Sequence, residues 1–260
     1  KYKGSNVNLF IFKGDLSDKY FVKKVFSDIY KVNRKIDGVI HLAGLKSVFE
    51  SKKNPLLYWN NNVLGTLNLL EIMDSYECIN FVFSSSATVY AQTKNLLLKE
   101  NSDIGPINPY GNTKLTIEKL LEDIFKSQKN KGKFASLRYF NPIGSHESGI
   151  IGDNPKDDPK NIVPKIFKVL SGDENILKIF GKDYNTSDGT GKRDYIHISD
   201  LANAHVCALE NISKFSAFKA YNVGTSKGTT VLELIKIFES VSNRSIPYEF
   251  FDRRKGDVEI

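Results

Sequence analysis

Through the first 140 residues, short uninterrupted apolar runs that end in a small or polar residue alternate with amphipathic stretches. Val7–Phe12 is the first run, followed by Gly14-Asp15-Leu16 and an amphipathic segment reaching about Val32. Asp37–His41 is the second, and it leads into Leu42-Ala43-Gly44-Leu45-Lys46. A long helical pattern, roughly Pro55 to Tyr76, precedes a third run at Asn80–Ser84. The next helix carries Ile117, Leu120, Leu121, Ile124 and Phe125 at spacings of three and four, and Phe134–Tyr139 follows it as a strand. Strands without polar alternation are covered on both faces, and their regular exchange with helices predicts an α/β chain with a Rossmann-like, doubly wound parallel sheet.

Ligands of such sheets gather beyond the carboxyl ends of the strands. Asp15, Gly44, Ser84, Ser85, Ser86, Phe140 and Asn141 each fall just after a predicted strand, so they converge on one crevice. Beyond Asn141 the texture changes. Residues 144–160 are rich in Gly, Asp and Pro, and Lys182–Gly191 is another polar loop. Helices are expected at Asn161–Leu170, Asp200–Glu210 and Thr230–Val241, and a short strand at Tyr221–Gly224. The chain divides into a Rossmann-like part, 1–141, and a smaller interleaved substrate-binding region, 142–260, of which about 195–225 returns to the sheet.

Composition removes several classes of function. The 260 residues are 26% charged and 40% hydrophobic, ordinary for a soluble globular protein. No stretch approaches the ~20 apolar residues needed to cross a bilayer, and the start carries no basic-then-apolar secretory signal. The net charge of +7 comes from dispersed lysines with no helix-turn-helix or aromatic-basic pattern, which suits an anionic small molecule better than nucleic acid. Cys78 and Cys207 both lie in apolar surroundings, consistent with buried thiols in a reduced, cytoplasmic protein. No Cys/His cluster has metal-ligand spacing, so no metal is expected.

The chemistry concentrates at Ser86 and at Tyr110-Gly-Asn-Thr-Lys114. Side chains four apart on a helix share a face, and a neighbouring ammonium favours a phenolate, so Lys114 is expected to lower the pKa of Tyr110 from its usual ~10. Asn108 suits an N-cap and Pro109 the first helical position, which would place Tyr110 at the positive end of the helix dipole. Tyr20/Lys24 and Tyr90/Lys94 share the spacing, so spacing alone does not single out Tyr110; its helix start and the serine strand before it do.

Phe83-Ser-Ser-Ser-Ala-Thr-Val-Tyr90, Pro109-Tyr-Gly-Asn-Thr-Lys114, Arg138-Tyr-Phe-Asn-Pro142, Asp188-Gly-Thr-Gly-Lys-Arg-Asp-Tyr-Ile-His197 and Arg253-Arg-Lys-Gly-Asp257 together resemble the UDP-glucose 4-epimerases. These are extended short-chain dehydrogenases/reductases that hold NAD tightly, and the likeness runs in order over essentially the whole chain. It implies an isomerase of galactose metabolism that interconverts UDP-galactose and UDP-glucose through a 4-keto sugar. Catalysis would fall to Ser86, Tyr110 and Lys114. Position by position, the resemblance assigns NAD contacts to Asp15, Leu16, Leu42, Ala43, Gly44, Leu45, Lys46, Asn61, Ser84 and Phe140, besides Tyr110 and Lys114. It assigns Ser86, Tyr110, Asn141 and Asn161 to the nucleotide-sugar, Arg193 and Arg254 to its diphosphate, and Asp257 to the uridine ribose. It also implies a homodimer packed through the Pro55–Tyr76 and Tyr110 helices.

Plainer roles stand beside these. Asp15 suits a helix cap, Leu42 and Leu45 a core, Lys46, Asn61 and Asn161 a surface, Asn141 a turn, Phe140 a core aromatic, and Arg193 an ion pair with Asp194. Arg254 and Asp257 suit a solvated charge run. Related dehydratases carry an Asp-Glu pair where this chain has Ala87-Thr88, which favours epimerisation over loss of water. Rival substrates within the family are UDP-xylose, UDP-glucuronate and N-acetylated UDP-sugars; the position that admits the last would lie beyond Ile260. A non-catalytic NAD-binding regulator would usually lose the serine, tyrosine or lysine, and all three are here.

No glycine-rich phosphate loop follows any strand, and the opening run resembles the family's third strand. In the order 3-2-1-4-5-6 the absence of strands 1 and 2 would leave Val7–Phe12 without a neighbour. We therefore expect a fragment that lacks the N-terminal strand–helix unit and the C-terminal end, and that neither holds NAD nor epimerises when isolated.

Overall fold

The computed structural model describes residues 9–253 except 33, 94–96, 128–131, 154, 156–158, 160 and 217. Its main sheet is parallel and four-stranded in the order β1-β2-β3-β7, from Val39–His41, Asn80–Ser84, Lys133–Tyr139 and Lys219–Val223 respectively. Alternate residues on β2 face opposite layers. Phe81 and Phe83, with Phe134 of β3, pack under α1 (Lys19–Lys31), α4 (Gly65–Ser75) and α5 (Pro109–Lys126). Val82, Ala135 and Leu137 face the other way, toward Ala204, Ala208 and Leu209 of α7 (Ile198–Asn211). Helices on both faces explain why these strands carry no polar alternation.

Residue chemistry sets the helix ends. Asp18 caps α1 by accepting the Tyr20 and Phe21 N–H groups. Asn108 accepts from Gly111 N at 2.8 Å with Pro109 next, so α5 starts where the sequence places it. The predicted helix from Pro55 to Tyr76 is continuous but not uniform. After α2 (Val48–Lys53) come α3 (Pro55–Tyr58), a π-helical segment at Trp59–Leu64, and then α4. A π segment adds a residue to the turn and shifts which side chains face inward.

The remaining residues build a second layer with its own core of Val163, Ile166, Leu177, Ile179, Leu234, Ile235 and Ile246. It contains α6 (Ile162–Ser171) and α8 (Val231–Ser242), the latter closed by a Thr230/Glu233 capping box. Strands β4 (Asn141–Ile143), β6 (Lys192–His197) and β8 (Gly228–Thr230) form one small sheet, and β5 (Leu177–Phe180) pairs with β9 (Tyr248–Phe251).

Two sequence expectations need correction. Of the predicted strand Val7–Phe12, Val7 and Asn8 lie outside the described residues, while Leu9–Phe12 form no strand and lie exposed. An apolar run is buried only where another strand or helix covers it, and none of the described residues does so here. Cys78 is buried, its thiol pushed up to about 11 by burial, but Cys207, on α7, is exposed.

Candidate active site

Three consecutive serines end β2 and all are buried: Ser84, Ser85 and Ser86. Above them the first turns of α5 bring in Tyr110, 5% exposed, and Lys114, 4% exposed. Ser86 accepts the Thr88 N–H at 3.2 Å, opening the single 3-10 turn Ala87–Val89, and its side chain favours ionisation of the Tyr110 phenol. The Lys114 ammonium donates to the Ser84 carbonyl at 2.7 Å and lies 5.8 Å from the centre of the Tyr110 ring. Serine, tyrosine and lysine therefore form one cluster at the carboxyl edge of the sheet. The two look-alike pairs differ: Tyr20 is 87% exposed, and the Tyr90 hydroxyl is taken by Asn222 at 2.6 Å.

The electrostatics depart from the expectation drawn from spacing. Burial raises the Tyr110 pKa, Tyr139 and Tyr58 add to the rise, and the Ser86 side chain opposes it. Lys114 reaches past the phenol to the strand tip, so its charge is spent first on a carbonyl. Burial lowers the Lys114 pKa to about 8, against the favourable charge of Glu118. Among its protein neighbours, then, Tyr110 holds its proton at neutral pH.

Behind the cluster runs a chain of fixed polarity. His205 Nδ1 donates to the Leu201 carbonyl at 2.8 Å, which leaves Nε2 to accept the Ser84 hydroxyl at 2.6 Å in the neutral ring. Burial raises the pKa of the neighbouring Tyr139, and Ser84 opposes that rise. His41 ends β1 and stacks at 5.6 and 5.8 Å from Phe81 and Phe83; burial first, and Lys114 second, lower its pKa to about 3.

Asn62 matters to this site and is not singled out by sequence. It is 2% exposed, accepts Leu45 N at 2.8 Å, and donates to Leu45 O at 3.0 Å and Thr113 Oγ1 at 3.1 Å. It thereby clamps the loop after β1 to α5. Asn61, its predicted neighbour, is half-buried. The available signal was three successive amides, Asn60–Asn62, inside a helical stretch, a place such side chains disfavour.

The other predicted residues sort by exposure. Leu42, Ala43, Gly44 and Lys46 are exposed on the loop after β1, and Leu45 is half-buried. Asp15 accepts from Ser17 N and Oγ, so it closes a turn and leaves the helix cap to Asp18, while Leu16 packs on the main core. Phe140 and Asn141 are half-buried, with Asn141 Nδ2 donating to the Asp194 carbonyl at 3.0 Å. Asn161 is exposed and heads α6 without a side-chain cap bond. Arg193 is half-buried and donates to the Lys192 carbonyl, whereas the Asp194 carboxylate receives the N–H groups of Thr225 and Ser226. Arg254 and Asp257 lie outside the described residues.

The residues present suit a nicotinamide dinucleotide. Among the described residues Lys114 makes one hydrogen bond, so a buried ammonium keeps two N–H donors for a ligand. A Cβ on Gly44 would stand 3.2 Å from Asn62 Oδ1 and 3.6 Å from Lys114 Nζ, so glycine keeps open the space over that ammonium.

Comparison with known proteins gives the same direction. Residues 2–224 match the model of the NAD dependent epimerase/dehydratase family. The chain belongs to that family. It is 47% identical over 262 residues to UDP-glucose 4-epimerase 2 of Arabidopsis thaliana, covering 100% of this chain and 73% of the relative. It is 46% identical over 251 residues to UDP-glucose 4-epimerase of Bacillus subtilis, covering 96% and 72%. Among solved structures, UDP-glucose-4-epimerase of Stenotrophomonas maltophila, with bound NAD and formylated UDP-arabinopyranose, aligns with a TM-score of 0.88 at 40% identity, over 95% of this chain and 71% of that one. The Bifidobacterium longum enzyme in complex with NAD+ and UDP gives 0.87 at 42% identity, over 95% and 72%.

Proposed function

We propose that this family member is an NAD-dependent UDP-glucose 4-epimerase, interconverting UDP-galactose and UDP-glucose in galactose metabolism. The observation that carries the reading is the buried cluster of Ser86, Tyr110 and Lys114 at the carboxyl edge of the sheet. Bound beside Lys114 and Ser84, NAD would supply a reversible hydride acceptor for the sugar's C4. Tyr110, ionised, takes the proton of the 4-hydroxyl and gives it back, a role that needs a base working near neutral pH. Ser86 favours the ionised phenol through its side chain and Lys114 by its charge. Ala87 and Thr88 offer no carboxylate for loss of water, which leaves epimerisation.

We assign the NAD contacts to Asp15, Leu16, the loop Leu42–Lys46, Asn61, Ser84, Tyr110, Lys114 and Phe140, within a cofactor-binding part at 1–141. Asn141, and Asn161, Arg193, Arg254 and Asp257 from 142–260, are assigned to the UDP-sugar. Arginine's planar fork suits the diphosphate. Leu56, Leu57, Trp59, Leu64 and Leu67 leave an exposed apolar strip along α3 to α4, which supports a homodimer. Among the described residues no helix is long and apolar enough to cross a membrane. A cytoplasmic location is part of the same proposal. Incubating the full-length protein with UDP-galactose tests the reading: UDP-glucose should form, and none forming overturns it.

A further inference from the structure

Glu118 lies one helical turn beyond Lys114 on the buried face of α5, only 3% exposed. A carboxylate is kept ionised in such a place only by strong partners. Its oxygens accept the Ser85 hydroxyl at 2.6 Å, Arg138 Nε at 3.0 and 3.1 Å, and Arg138 Nη2 at 2.6 Å. Arg138, on β3, is itself 7% exposed and also donates to the Tyr90 hydroxyl and the Glu100 carbonyl, each at 3.1 Å. None of these groups has a part in the proton and hydride transfers.

The arrangement repeats across three turns. Tyr110, Lys114 and Glu118 stand four residues apart on one helix face along Ser84–Ser86. Lys114 donates to the Ser84 carbonyl and Glu118 accepts the Ser85 hydroxyl, while the Ser86 side chain acts on the Tyr110 phenol. A shift of α5 along the strand tip would break both hydrogen bonds together. We infer that Glu118, braced by Arg138 and bonded to Ser85, is a positioning residue that sets the register of α5 on the tip of β2 and supplies the negative charge facing Lys114. Its kinetic consequences rest on the epimerase reading; its effect on Lys114 does not.

The titratable groups around Lys114 are Tyr110 and Glu118 on α5 and His41 on β1, with Arg138 on β3 behind Glu118. Tyr110 and His41 are neutral at pH 7, so Glu118 is the group that favours the ammonium against burial. Removing its charge must lower the pH at which Lys114 deprotonates.

The test is Glu118→Gln in the full-length protein, which keeps size and one acceptor but loses the charge. NMR titration of the Lys114 side chain should show its midpoint falling by about one pH unit. In the NAD-loaded enzyme the basic limb of kcat for UDP-galactose should move down by the same amount, with KM within about twofold. Ser85→Ala leaves the Glu118–Arg138 pair intact and should lower kcat roughly tenfold without moving that limb. If Glu118→Gln does not fold, E118Q/R138Q, which strands neither charge, is titrated against R138Q, so that the loss of the arginine's own charge cancels. An unmoved Lys114 midpoint, or Ser85→Ala with native kcat, overturns the clamp. Failure of the unsubstituted protein to epimerise would sink the functional reading instead, and the Lys114 titration would still decide this one.

Discussion

The two walls of the cleft treat polar groups in opposite ways. On the sheet side, His41, Asn62, Ser84, Ser85, Ser86, Lys114 and Glu118 are all buried, each with a protein partner. On the facing side, Asn141 and Arg193 are half-buried and Asn161 is exposed. A buried polar group must be satisfied before any ligand arrives, because an unmet partner costs about 1–3 kcal/mol. An exposed one stays hydrated until a ligand replaces the water. On the function proposed above, the sheet side, organised in advance, would govern chemistry, and the other side, hydrated until the UDP-sugar arrives, would govern binding. Substitutions should accordingly divide between kcat and KM.

The sharpest break of that division is Tyr110→Phe. It removes one hydroxyl from the dry wall and leaves the ring's packing in place. We expect kcat for UDP-galactose to fall by about a thousandfold, within the range of lost acid–base catalysis, while KM changes less than about threefold and the circular dichroism spectrum is preserved. A comparable loss in KM would show that the phenol belongs to binding, and the contrast between the walls would fail.

Acid stability is the next largest effect. His41 is 4% exposed, and burial, then Lys114, hold its folded pKa near 3 against 6.5. Between those values the unfolded chain takes up a proton that the folded chain refuses, so stability falls as pH drops through 6.5 toward 3. From pH 6.5 to 4 this one ring should cost about 3 kcal/mol. Urea denaturation of His41→Phe, which retains the aromatic stack, should show a correspondingly flatter pH slope. Equal slopes in the two proteins would mean that the ring is charged or hydrated.

Asn62 shows what sequence could and could not disclose. Strand β2 is found at the predicted Asn80–Ser84, and α5 begins under its Asn108–Pro109 cap, because these signals are local. Phase is not local: the π segment at Trp59–Leu64 turns Asn62 inward, where an ideal helix pattern offers no reason to prefer it over Asn61. The β5–β9 pair joins residues some seventy positions apart and left no mark in either segment. The sign of the Tyr110 shift was likewise hidden, since spacing reveals which side chains share a face but not how much water they lose. Asn62→Ala should strip Leu45 and Thr113 of partners, costing about 2 kcal/mol in unfolding experiments and weakening NAD retention measured by calorimetry. Native stability in that variant would leave the loop clamp without a role.

Arg193→Ala probes the wet wall and should produce the smallest effect. The side chain is half-buried and donates to its neighbour's carbonyl. Its proposed partner is a diphosphate, and a charge-assisted bond at a partly exposed site is worth about 1.5 kcal/mol, or roughly tenfold in KM. Because that bond exists before and during the transfer of hydride, it stabilises ground and transition states alike, and kcat should stay within about twofold. Arg193→Lys should recover part of the loss, since it restores the charge but not the fork. If kcat fell while KM stayed, Arg193 would be acting on the reacting sugar, and the second layer would share in the chemistry that the serine edge otherwise holds alone.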